Sequence, residues 1–268
     1  MAKYKKKRAR ELQHDRFRDT TMSFLDRLGN LLEGRGRTIL YGLGGIILAS
    51  LLVIIFVKWN NRKNDEARQA LGRAITITTT AVSSNPLPGS TEVTFPTEKD
   101  RAEKAIAEFE KVAAKYGEPY KSESRYFIAS NRLVVDRQKG ITELTELSNG
   151  SSGEVAALSK FALAQAYESD GKLDDAARLY SELVRLNSPT VTAETANLRI
   201  AKVYEKQGKK KEAADVLFNV VDAARKAKGS DNQSLPQSAA AREAATELQK
   251  LDPDRYAQLP PEIPSLAG

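Results

Sequence analysis

Leu163-Ala-Gln-Ala-Tyr-Glu-Ser-Asp-Gly171 and Ile200-Ala-Lys-Val-Tyr-Glu-Lys-Gln-Gly208 are two copies of one pattern. Each is followed at the same distance by a second matching pair, Asp175-Ala-Ala-Arg-Leu-Tyr180 and Glu212-Ala-Ala-Asp-Val-Leu217. Tyr167 and Tyr204, Gly171 and Gly208, and Ala176 and Ala213 are all 37 residues apart. A further match, Lys104-Ala-Ile-Ala-Glu-Phe109, places Ala105 71 residues before Ala176, about two periods. Self-similarity at this spacing predicts a helical solenoid, in which one helix pair cannot bury its apolar face alone and stacks on its neighbours. A small residue (Ala105, Ala176, Ala213) lets the second helix of a pair approach the first. The large residue four positions later (Phe109, Tyr180, Leu217) fills the space beside it. Gly171 and Gly208 supply the left-handed backbone that ends the first helix of each pair.

Working outward, the helix pairs expected are 65–82 with 97–116, 120–137 with 140–147, 154–169 with 172–186, and 192–207 with 209–228. A last helix, 238–251, would cover the final apolar face. No alternating strand pattern is evident. Ile75–Thr80 (ITITTT) is β-branched but continues a helical segment and is read as helix. Ser83–Thr97 reads as a loop, and the Pro-rich tail 252–268 reads as extended or disordered. The expected fold is all-α.

A different kind of segment precedes the array. Ile39–Val57 is 19 residues without a charge, roughly 28 Å as a helix, close to the ~30 Å hydrocarbon core of a bilayer. Tyr41 and Trp59 sit near its ends. Arg35, Arg37, Lys58, Arg62 and Lys63 flank it. A transmembrane helix over 38–59 is therefore expected. Residues 1–37 hold 11 Lys/Arg against 5 Asp/Glu. The 20 residues on either side of the run nearly tie, with 4 basic residues before it and 5 after. The short tail should decide orientation, because long domains translocate largely regardless of charge. The expectation is a cytoplasmic N-terminus and an extracytoplasmic array, periplasmic if the cell has two membranes. Within the tail, Lys3–Arg10 would attract anionic lipid headgroups or serve only as a topology signal; nucleic acid is the weaker alternative. Thr21–Glu33 is amphipathic, as an interfacial or partner-binding helix would be.

Composition narrows the function classes. The chain has no Cys and one His, His14 in the basic tail, so thiolate chemistry is excluded and most metal sites and acid–base machinery lack their usual residues. No catalytic residue, cofactor or metal is expected; a hydrolase using a carboxylate or Ser–Lys site is the remote alternative. Residues 58–268 hold 31 Lys/Arg and 30 Asp/Glu, a balance that argues against a nucleic-acid-binding face.

The repeat resembles the tetratricopeptide repeat (TPR) family. The Leu163-Ala164 and Ile200-Ala201 pairs, the Tyr, the turn Gly, the Ala and the large apolar residue carry the likeness. It spans about 65–251 and is good only in 154–189 and 192–228. The family's Trp is missing, with Lys160 and Asn197 in its place, and Pro189 falls one residue late. A basic amphipathic N-terminus, one apolar span and TPR-like pairs together resemble the YfgM-like ancillary subunits of the bacterial Sec translocon. Asp15-Arg-Phe17, Gly36–Gly42 and Glu66–Ala70 carry that resemblance. It implies an inner-membrane protein that holds translocating chains or periplasmic chaperones near a channel. The TPR likeness implies a groove lined by first helices. By position its residues are Tyr126 and Ser130, then Phe161, Gln165 and Glu168, then Lys202 and Glu205. Core packing is the competing reading for Phe161 and Tyr126, and a solvated face for the charged ones. The expected function is protein binding, as a scaffold or chaperone-like subunit. A scaffold for division or wall synthesis is the alternative.

Overall fold

The computed structural model describes residues 36–84, 93–151, 153–186, 188–230 and 232–262. The basic tail, the amphipathic stretch 21–33 and the end of the C-terminal tail lie outside the described residues. Ten helices are described: α1 Gly36–Thr79, α2 Glu98–Lys115, α3 Tyr120–Val135, α4 Arg137–Gly150, α5 Gly153–Ser169, α6 Leu173–Leu186, α7 Ala193–Lys206, α8 Lys210–Lys226, α9 Ala239–Leu251 and α10 Pro253–Tyr256. No strand occurs among the described residues, only two isolated bridges, Val82 with Phe95 and Lys228 with Ser234. The chain divides into two units, Met1–Glu66 and Ala67–Gly268.

In the first unit the described chain is helical, and the large apolar side chains from Ile46 to Val57 are exposed. Among the described residues one helix is long and apolar enough to cross a membrane by length and composition. The expected break between 59 and 65 is absent, because α1 continues unbroken to Thr79. The polar stretch Lys58–Glu66 contains neither Gly nor Pro to interrupt it. Nζ of Lys63 lies 3.7 Å from the Trp59 ring centroid, one helical turn away.

The second unit is a row of antiparallel hairpins. The β-branched run is helical as expected, and its hydroxyls bond back to the chain: Thr76 Oγ1 to the Gly72 carbonyl (3.0 Å) and Thr78 Oγ1 to that of Ile75 (2.7 Å). The helix ends at Thr79, three residues before expectation, and Val82 pairs with Phe95 instead. Capping explains several other boundaries. Thr97, Asp136, Thr192 and Ser238 each accept a hydrogen bond from the backbone N–H three residues on. Asp136 both follows α3 and caps α4, so the two helices join without a linker, and α4 covers 137–150 rather than the expected 140–147. Gly171 and Gly208 are left-handed, at φ +72° and +75°. The amides of Lys172 and Lys209 reach back to the carbonyls of Tyr167 and Tyr204, both at 2.9 Å.

Each helix packs on the next along the chain from α2 to α10, and α3 also touches α5, as α7 touches α9. Three apolar clusters follow one another. Leu71, Ala74, Phe109 and Val112 form the first; Leu144, Leu163, Tyr180 and Leu183 lie in the second; Leu217, Val221 and Leu248 lie in the third. The small-then-large pair recurs more often than the sequence reading found. Gly140-Leu144 stands in α4 between Ala105-Phe109 and Ala176-Tyr180, and all six residues are buried. Likewise Ile128-Ala129 precedes Leu163-Ala164 by 35 residues. These helix pairs, with their repeated positions and left-handed glycine ends, make the second unit a TPR-like array.

The tail after Leu251 was expected to be extended or disordered, and its first part is neither. Asp252 caps the short α10, and Leu259 is buried against the third cluster. The Arg225 guanidinium donates to the Pro260 carbonyl and to the Tyr256 hydroxyl, and Arg255 pairs with Asp215. The apolar end of the array needs a cover, and this segment supplies part of it.

Ser124, Ser159 and Ala196 each stand five residues before the small residue of a first helix (Ala129, Ala164, Ala201), and all are fully buried. The two serine hydroxyls find no hydrogen-bond partner. A buried unpaired hydroxyl costs about 1–3 kcal/mol. Ser124→Ala and Ser159→Ala should therefore be neutral or stabilising, by up to about 1 kcal/mol each. Urea denaturation checks this; a loss of stability would reveal a partner for the hydroxyl.

Candidate functional site

The candidate surface is the row of first helices, α3, α5, α7 and α9. Backbone contact joins α3 to α5 and α7 to α9. Between α5 and α7 side chains span the space. The Phe161 ring meets Tyr180 of α6 edge to face, with centroids 5.7 Å apart, and the Arg199 guanidinium lies 6.0 Å from the Phe161 centroid. Glu168 accepts from the Tyr180 hydroxyl (3.0 Å) and from Lys206 Nζ (2.5 Å). Burial, then the charge of Glu168, pushes the Tyr180 phenol far above its ordinary range. Thr190 reaches back to Glu154 at 2.6 Å.

The seven groove residues fall into three groups. Tyr126 and Ser130 lie on α3, both half-buried. The Tyr126 ring sits edge-on to Phe127 at 5.1 Å, and burial raises its phenol pKa. Phe161 and Glu168 share the Tyr180 cluster, while Gln165 between them is exposed. Lys202 and Glu205 turn toward α9. Lys202 pairs with Glu243, whose carboxyl is held below its usual range chiefly by that lysine. Glu205 Oε1 is buried without a hydrogen-bond partner. Phe161 and Tyr126 pack against the central core while remaining partly open.

Arg199 was missed, because the equivalent positions in the neighbouring repeats are Phe127 and Ala162 and repeat matching gives no sign of it. Glu243 was missed for want of a matched repeat after 228. The Gly140 position was within reach, had small residues been matched rather than Ala alone.

Burial raises the Glu205 carboxyl, and Glu247 adds to the shift while Lys202 and Lys250 oppose it. A folded pKa above the unfolded one stabilises the fold below the ordinary carboxylate range. That contribution is lost as pH rises through the folded value. Glu205→Gln should thus raise stability at pH 7 relative to the parent and change it little near pH 4. Thermal melts at the two pH values check this, and equal shifts at both would contradict it.

Among the described residues no group of three or more His, Cys, Asp or Glu could hold a metal. Two open clefts lie elsewhere. One, of about 350 Å³, runs between the Ala70–Ile77 stretch of α1 and the end of α2. The other, of about 310 Å³, lies between α7 and α8 beside Asn197 and Val216. Each is lined by a single carboxylate, Glu108 and Glu194 respectively.

No protein-family model matches the chain, and no curated protein matches it. Among solved structures it is similar to a kinesin light chain protein of Podosopora anserina with nearly identical TPR-like repeats. The identity is 16% and the TM-score 0.48, with 69% of this chain and 85% of that one covered. A substituted form of the same protein matches equally, at 16% identity and TM-score 0.48, over 69% and 84%.

Proposed function

We propose that this chain is a membrane-anchored protein-interaction module. Its hairpin array would receive segments of other proteins on the row of first helices, outside the cytoplasm. The observation that carries the reading is the union in one chain of a charge-free helical stretch with every large apolar side chain exposed, Ile46–Val57, and a repeat array. That stretch belongs to the 19-residue charge-free run Ile39–Val57, and an exposed apolar run of that length is stable in lipid and not in water. Arrays of stacked helix pairs use their extended first-helix surface for binding. The basic excess of residues 1–37 favours a cytoplasmic N-terminus. The sequence resemblance then favours a role as scaffold or chaperone-like ancillary subunit of a secretion or envelope-assembly machine in a bacterial inner membrane.

The test combines location and capture. The chain should resist alkaline extraction from membranes, and a thiol introduced by Gly229→Cys should label only from outside the cytoplasm. A photo-crosslinker replacing Gln165 should capture segments of membrane or exported proteins, and Phe161→Ala should reduce that capture. Extraction into the soluble fraction, or labelling from the cytoplasmic side, would overturn the reading.

A further inference from the structure

The first hairpin of the array, residues 67–79 of α1 with α2, has an open side. In the rest of the row every first helix is covered by the helix before it: α3 by α2, α5 by α4, α7 by α6 and α9 by α8. Among the described residues no helix precedes α1, and its second half lines a cleft of about 350 Å³ with α2. The floor is apolar, formed by Ala70, Ala74 and Ile77 of α1 facing Val112 and Tyr116 of α2. Ala74 and Val112 are buried, whereas Ala70, Ile77 and Tyr116 remain partly open. The floor runs about 10 Å along α1, or two helical turns.

The rim is basic. Arg73, Lys111 and Lys115 line it, against the single carboxylate of Glu108. That carboxylate is already engaged, by Lys111 at 2.8 Å and Lys104 at 3.2 Å, and both lysines hold its pKa below the ordinary range. Pairing two copies face to face would bring these basic rims together, which disfavours a second copy as occupant.

We propose that this cleft docks an amphipathic helix of another protein, with small or branched apolar residues toward Ala70, Ala74 and Ile77 and Asp or Glu along the basic rim. The incoming helix takes the place that α2, α4, α6 and α8 take on the helices after them. This site is separate from the surface formed by α3, α5, α7 and α9, and its existence does not depend on the membrane reading.

The probe is a labelled synthetic helix of about three turns, with a Leu/Ala row at i, i+3, i+4, i+7 spacing and Glu on both flanks. Its control carries Lys on the flanks. Binding is read by fluorescence anisotropy on the full chain in lipid nanodiscs. The Glu-flanked helix should bind at least about tenfold more tightly than the control. Arg73→Glu with Lys115→Glu should reverse the preference, while Gln165→Arg with Lys202→Glu should leave it unchanged. Both rim residues are exposed, and circular dichroism confirms that the variants fold. Absent binding, equal affinity for the two helices, or loss only in the Gln165/Lys202 variant would each overturn the proposal. A dimer abolished by Arg73→Glu would do so as well, assigning the face to a second copy.

Discussion

Gly140→Ala is expected to destabilise the array by about 3 kcal/mol, although it replaces glycine with the best helix former inside a helix. An added Cβ would lie 2.7 Å from the Leu133 amide nitrogen and 3.0 Å from the Ala129 carbonyl oxygen, both backbone atoms of the facing helix. Neither can move as a side-chain tip could. Asp136 joins α3 to α4 without a linker, so the two helices cannot part without losing that cap. Glycine costs a helix interior about 1 kcal/mol relative to alanine, and overpacking against backbone exceeds that gain. Gly72→Ala provides the contrast. Its added Cβ would meet nothing within 4 Å, so it should stabilise by about 0.5–1 kcal/mol. Urea melts of both variants read the difference directly. Stabilisation by Gly140→Ala would refute the close helix crossing.

Tyr180→Ala should cost about 4 kcal/mol. The ring is fully buried in the central cluster, where α5, α6 and α7 meet, and it carries the edge of Phe161. Tyr180→Phe isolates the hydroxyl and should cost about 1–2 kcal/mol, since the bond is to a charged carboxylate. In an array whose repeats contact only their neighbours, loss of a central interface splits cooperativity. Tyr180→Ala should therefore broaden the unfolding transition or divide it in two, while Tyr180→Phe shifts a single one. A single sharp transition in both variants would show that the array folds as one unit.

Much of this architecture was readable in the chain. The helix pairs from 120 onward appear within a few residues of expectation, because glycine ends and Ser, Thr or Asp caps mark them locally. Where the reading fell short, the cause is tertiary. Glycine at 140 serves as the small residue because the facing backbone leaves no room for a methyl. The segment after Leu251 is ordered because an apolar end surface and Arg225 receive it, and neither is visible in a Pro-rich string. The candidate site was half legible. Positions such as Glu168 follow from repeat register, but its engagement by Tyr180 and Lys206 depends on side chains from three helices. Arg199 had no counterpart in the other repeats to point to it.

The strap formed by Leu259, Tyr256 and the carbonyl of Pro260 gives the hairpin row a direction. Among the described residues, one terminus is stoppered by the chain itself, and the other presents an apolar floor between two helices. A further unit, whether gained by duplication or recruited from a neighbour, could join such a row at that end without displacing any of the described helices. The row would thus grow, and recruit, from its N-terminal side.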